Sequence, residues 1–185
     1  TNIDRGICEV MHRTTMGCDA DPVPLIFGGL KAALGDLTGE NFSTEVSDIL
    51  FGTPKLIESE ANLGSLKEDH VNICVHGHNP ILSEVICDMA DDMRSEAEAA
   101  GARGFNIVGI CCTANELLMR RGIPIATNYM IQELAIATGV IDAMVVDYQC
   151  IAPSQGWWAQ CFHTQMISTQ EITRIPGDTH IEFHE

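Results

Sequence analysis

Four short β-prone segments, each followed by a stretch patterned as a helix, constrain the fold of this chain more than any other feature. The first, Val71-Asn72-Ile73-Cys74-Val75, stops at His76-Gly77-His78. Asn79 then reads as a helix N-cap with Pro80 in the first helical position, where a missing N–H costs nothing. The helix after it is expected to carry Leu82, Val85, Ile86, Met89, Met93 and Ala97 on its buried face. Asp91, Asp92 and Glu96 would solvate the other side, with Gly101 and Gly104 closing it. A second strand over 105–110 leads to Thr113-Ala114-Asn115-Glu116, which has the form of a capping box, and to a helix that Gly122 ends. A third strand over 123–127 precedes a helix over 129–138 that stops at Gly139. The fourth, 143–147, runs into Tyr148-Gln149-Cys150, and weaker strand signals lie at 165–168 and 180–183.

Strands this short and this apolar, bridged by helices, belong in a parallel sheet covered on both faces. The expected class is α/β: a Rossmann-like, doubly wound parallel sheet preceded by a helical and loop-rich segment. Gly52-Thr53-Pro54 punctuates the chain. It is expected to divide 1–54, read as the end of a helical domain, from 55–185, read as a Rossmann-like domain truncated at its C-terminus. Within the first part, Pro24, Gly28 and Gly29 interrupt the apolar run from Val23. A short helix over 30–37 and a polar stretch over 38–41 are expected there.

Charge narrows the function. Ten Lys and Arg against 26 Asp and Glu leave a formal net charge of −16. A field of that sign repels phosphate backbones and anionic lipid, so nucleic acid is not an expected partner. No run approaches the roughly 20 apolar residues of a membrane span. Eight cysteines in 185 residues fall short of a disulfide scaffold, whose content is about 8–10%. An intracellular, cytoplasmic setting with free thiols is the reading that follows. Cys74 and Cys87 lie within core-patterned segments and are expected to be buried structural thiols, while Cys8 and Cys18 read as core or loop thiols.

Chemistry gathers at the strand ends. Parallel sheets bind ligands outside the carboxyl ends of their strands. His76 and His78 follow the first strand, Cys111 and Cys112 the second, and Cys150 the fourth. Each has a bland alternative: the histidines could bond only loop backbone, and Cys150 could be a small buried hydrophobe. Adjacent Cys111 and Cys112 point opposite ways in an extended chain, so one can face the core and the other a site. Jointly, soft thiolates and an imidazole suit zinc, iron or an iron–sulfur species. No CxxC, HExxH or GxGxxG occurs, which argues against zinc ribbons, ferredoxin runs, zincins and a nicotinamide cofactor. A Cys–His thiol enzyme, with Cys112 activated at a helix N-terminus and Asp147 orienting a histidine, is the rival reading.

Three ordered segments carry a resemblance: His76-Gly77-His78-Asn79-Pro80, Val108-Gly109-Ile110-Cys111-Cys112-Thr113-Ala114-Asn115-Glu116, and Ala143-Met144-Val145-Val146-Asp147-Tyr148-Gln149-Cys150. With Met11-His12-Arg13-Thr14-Thr15-Met16-Gly17 and His163-Thr164, they resemble the catalytic subunit of nickel-dependent carbon monoxide dehydrogenases. That resemblance implies interconversion of CO plus water with CO2, two protons and two electrons at a nickel–iron–sulfur cluster. It implies that His78 and Cys112 hold an exposed iron and that Cys150 holds the cubane portion, with Cys111 as the inward-facing neighbour. Asp36 would be an acidic residue near that iron, and His76 would donate to a carboxylate or backbone carbonyl without touching metal.

The family further implies partners: the rest of the same subunit, a homodimer copy, a low-potential electron carrier and possibly an acetyl-CoA synthase subunit. Other cluster thiolates and further iron–sulfur clusters would lie in regions this chain lacks. The chain is therefore expected to supply half a coordination shell and to be inactive alone. A degenerate, non-catalytic domain of the same fold and a zinc thiol enzyme are the alternatives.

Overall fold

The computed structural model describes residues 1–184. It divides into two compact units, Thr1–Thr53 and Pro54–Glu185.

The first unit is a pair of packed helices, α1 (Asn2–Thr15) and α2 (Pro22–Phe51). Thr1 and Asp4 form a reciprocal capping box at the start of α1. The short helix and loop expected over 23–41 give way to a continuous helix of 30 residues. The reasons are local. Asp21 caps Val23 N–H, and Pro22 and Pro24 occupy the first turn, where their missing donors are not needed. Interior glycines cost about 1 kcal/mol each against alanine. Gly35 offsets that by letting Ile7 approach, since a Cβ there would lie 2.9 Å from Ile7 Cδ1. Ile26, Phe27, Leu34 and Leu37 are exposed, more apolar surface than two helices can cover between them. Cys8 and Cys18 are also exposed, so neither is a core thiol.

The second unit holds β1 (Val71–His76), β2 (Phe105–Ile110), β3 (Ile125–Thr127), β4 (Ala143–Val146), β5 (Gln165–Ser168) and β6 (Thr179–His180). They form one sheet in the order β3-β2-β1-β4-β5-β6, every pairing parallel. This is the doubly wound order, and the α/β class expected from the strand pattern is the one observed. Helices α3 (Pro80–Asp92), α4 (Arg94–Ala99), α5 (Cys111–Arg121), α6 (Glu133–Ala137) and α7 (Ser154–Gln160) connect the strands.

Alternation along the strands builds two cores. Cys74, Val108, Ile110, Met144, Val146 and Met166 pack with Ala135, Ile136 and Ala159 of α6 and α7. Val75 and Ile107 pack with Cys87 and Leu117 of α3 and α5. Cys74 and Cys87 are buried as expected.

Several local expectations are corrected. Val85, Met89 and Met93 are exposed, and the buried face of α3 is Leu82, Ser83, Glu84 and Cys87. Glu84 is tolerated there because Arg121 pairs with it. The predicted long helix breaks at Met93. Thr113 is no cap: α5 begins two residues earlier, at Cys111, and the buried Thr113 hydroxyl lies 3.3 Å from both Asn79 O and Ser83 Oγ. The helix over 129–138 is a 3-10 turn, Tyr129–Ile131, followed by the five residues of α6. Strand β6 is two residues long rather than four.

Burial pushes the Cys87 thiol up to about 12. A folded value above the unfolded one stabilises the fold fully below about pH 9, and that contribution is lost as pH rises towards 12. Between pH 8 and 11, Cys87→Ala should lose less stability than the parent chain, the difference being on the order of 2 kcal/mol. Urea denaturation at the two pH values measures it, and parallel losses in both chains would contradict it.

Candidate metal-binding edge

The chain leaves β1 for β2 and β3 on one side and returns to β4 on the other. The carboxyl ends of β1 and β4 therefore flank the topological switch point, where open α/β sheets form a ligand crevice. His76 pairs in register with Ile110 of β2 and Val146 of β4, so the residues after these three strands emerge along one edge. His78, Cys111, Cys112 and Cys150 all lie in those emerging segments.

Asp147 ties the edge together. Its carboxylate is buried and accepts hydrogen bonds from the backbone N–H of His78 (2.6 Å) and Asn79 (2.8 Å) and from its own neighbour Tyr148. Desolvation raises its pKa above the ordinary carboxylate range, against the pull of those three donors. Gly77 makes the latch possible. Its φ is +133°, and a Cβ there would fall 1.7 Å from Asp147 Oδ1. Asn79 caps α3 as expected, accepting from Ile81 N–H (3.1 Å) and Leu82 N–H (3.2 Å).

His78 is half-buried and stacks on Tyr148 with ring centroids 6.3 Å apart. Its Nδ1 lies 3.2 Å from Tyr148 O, a backbone acceptor. A proton on Nδ1 satisfies that contact and leaves Nε2 as the lone-pair nitrogen, the tautomer of a metal-ligating histidine. His76 is buried with Nε2 2.9 Å from Gln132 Oε1. The partner of its Nε2 is a side-chain amide, Gln132 being the acceptor buried beside it. Burial lowers its pKa and favours the neutral ring.

The turn from β2 into α5 is sharp. Cys111 has φ +65°, and a Cβ on Gly109 would lie 2.5 Å from Ala114 Cβ, so strand and helix touch there. Gly77 O accepts from Thr113 N–H at 2.9 Å, fastening this turn to the His78 loop. Cys111 is half-buried, packs on the core and lies beside the Cys150 side chain. Desolvation, aided by the neighbouring thiols, pushes its thiol up to about 12. Cys112 is exposed in the first turn of α5. Cys150 is exposed rather than a buried small hydrophobe. Gln149 and Cys150 both adopt positive φ, +62° and +57°, which turns the chain back after Asp147.

The structure thus brings Cys111 to Cys150 and His78 to the Tyr148 backbone. Among the described residues, no three His, Cys, Asp or Glu side chains are grouped so as to hold a metal ion by themselves. Asp36 lies exposed on α2 in the other unit. Sequence reasoning missed Gln132 and Gln155, whose burial has no periodic signature. The donor chemistry fits a soft metal or an iron–sulfur group as part of a shell, with an imidazole lone pair and thiols on one edge.

Fold and edge together define a Rossmann-like α/β protein with thiols and imidazole at its switch point. The chain belongs to the Prismane/CO dehydrogenase family, whose model matches residues 1–185. Carbon monoxide dehydrogenase 1 of Carboxydothermus hydrogenoformans is 62% identical over 185 residues, all of this chain and 29% of that protein. The carbon monoxide dehydrogenase/acetyl-CoA synthase subunit beta of Moorella thermoacetica is 54% identical over 181 residues, 98% of this chain and 27% of that protein. A carbon monoxide dehydrogenase from Thermococcus sp. AM4, solved as isolated and Ni-free, superposes with a TM-score of 0.90 at 55% identity. That match covers 98% of this chain and 29% of that one. The chain therefore spans under a third of the length of these relatives.

Asp147→Ala leaves three N–H groups without their acceptor and should destabilise the fold by about 3 kcal/mol. Gly77→Ala should cost at least as much, because the new Cβ cannot share space with Asp147. Chemical denaturation of the two variants checks both, and a loss under about 0.5 kcal/mol in either would contradict the latch.

Proposed function

We propose that this chain is the portion of a nickel-dependent carbon monoxide dehydrogenase subunit that supplies His78, Cys112 and Cys150 to a nickel–iron–sulfur cluster. The observation that carries the reading is the emergence of these soft donors at the switch-point edge, with His78 Nδ1 committed to Tyr148 O. When bound, the cluster would supply the two-electron chemistry that interconverts CO plus water with CO2 and two protons.

The chain's own residues hold and aim. Tyr148 O orients the His78 ring through Nδ1, which would leave the Nε2 lone pair to hold a metal. Cys112 is presented exposed in the first turn of an eleven-residue helix. Cys150 is presented by a backbone bent at two successive residues. Asp36 is assigned a proton-accepting or orienting role.

Further ligands and electron-relay clusters would come from residues outside this chain. The reading also includes a homodimer copy, a low-potential electron carrier and a cytoplasmic setting, with an acetyl-CoA synthase subunit as the further partner suggested by the Moorella thermoacetica relative. No helix among the described residues is long and apolar enough to cross a membrane.

In the intact protein purified without oxygen, nickel and iron should both be present. Cys112→Ala should lower CO oxidation at least about 100-fold, the loss of about 2.7 kcal/mol of transition-state stabilisation. Metal-free wild-type protein, or a Cys112→Ala variant with unchanged activity, would overturn the proposal.

A further inference from the structure

Gln132 sits where three strand-end segments meet. It is 1% exposed, in the turn between the 3-10 helix after β3 and α6. Its Oε1 accepts from His76 Nε2 at 2.9 Å, from Ala152 N–H at 2.9 Å, and from the buried Gln155 Nε2. Its Nε2 donates to Tyr129 O at 2.7 Å, which rigidifies its own turn. The Tyr129 backbone in turn lies beside the Cys111 thiol.

One amide therefore reaches the end of β1 two residues before His78, the segment two residues after Cys150, and the turn that touches Cys111. A buried polar network is expensive unless satisfied, and here a single oxygen serves three donors. Apolar packing would stabilise such a junction equally well, but it would not fix the Cys150 segment at a set distance from the Cys111 turn. Hydrogen-bond length and direction do that. The strained backbone at Cys111 and Cys150 needs such determination from outside, because each residue left to itself would relax to negative φ.

We infer that Gln132 is a positioning residue: it holds the Cys150 and Cys111 segments at the spacing a cluster requires, and it acts through backbone and buried side chains without touching metal. The cluster part of this inference rests on the function proposed above; the thiol spacing does not.

Two readouts separate those parts. In metal-free, full-length protein, diamide takes up two hydrogens from a juxtaposed thiol pair, and peptide mass mapping identifies the disulfide. Wild type should form Cys111–Cys150, and Gln132→Met, similar in volume but unable to accept, should form it at least about 10-fold more slowly. In protein matured with nickel and iron, Gln132→Met should retain its circular dichroism yet hold about a third or less of the wild-type metal, with an altered electron paramagnetic resonance spectrum. Gln132→Glu, measured at a pH that keeps the carboxyl protonated, has both an acceptor oxygen and an O–H donor for Tyr129 O and should restore both readouts to within about twofold of wild type. If Gln132→Met does not accumulate, Gln132→Asn decides, since its shorter amide cannot span the three donors. Wild-type crosslinking in a folded acceptor-less variant, unchanged metal and spectrum there, or failure of Gln132→Glu to rescue overturns the inference. Wild-type protein without nickel or iron sinks the cluster reading alone, and the crosslinking arm still decides the positioning claim.

Discussion

Everything at the carboxyl edge depends on one buried carboxylate. Asp147 accepts from the N–H groups of His78, Asn79 and Tyr148, and so welds the exit of β1 to the exit of β4. These are the strands on either side of the point where the sheet reverses its winding, and the stacking of His78 on Tyr148 reinforces the same junction. Burial of the charge works against the latch, and three backbone donors offset it. The absent side chain at Gly77 is the steric condition for the whole arrangement.

Around that latch the molecule accepts strain. The non-glycine residues with positive φ among the described residues are Cys111, Gln149 and Cys150, and all three lie at this edge. Such conformations cost roughly 1–2 kcal/mol apiece for residues with a Cβ. Two of the three are cysteines. Strain concentrated on thiol-bearing positions is what the proposed metal edge would demand: ligands aimed before the metal arrives.

The sequence made the sheet legible because short apolar runs leave little else for 71–76, 105–110 and 143–146 to become. It showed Asn79 and Pro80 as a helix start for the same reason, since both residues act through local backbone chemistry. It misled where tertiary contact overrides local preference. The glycines of α2 read as breaks, yet Gly35 is the close approach that lets α1 pack. Val85, Met89 and Met93 formed a convincing apolar stripe, but α3 turns Leu82, Glu84 and Cys87 inward and relies on Arg121 to neutralise the acid. Thr113 had the form of a cap and instead spans α5 and α3 through its hydroxyl. At the site, His78 and the cysteines were visible as residue types. The frame of Asp147, Gln132 and Gln155 was not, because buried polar side chains joined across 20 to 69 positions leave no periodic trace.

The central claim is that His78, Cys112 and Cys150 grip one metal centre from this edge. The most direct measurement is anomalous diffraction at the nickel and iron absorption edges from crystals of the intact protein prepared without oxygen. The account predicts nickel and iron peaks beside the β1 and β4 exits, with His78 Nε2 and the thiolates of Cys112 and Cys150 within bonding distance. Metal density centred elsewhere, or density at this edge that none of the three side chains touches, would contradict it.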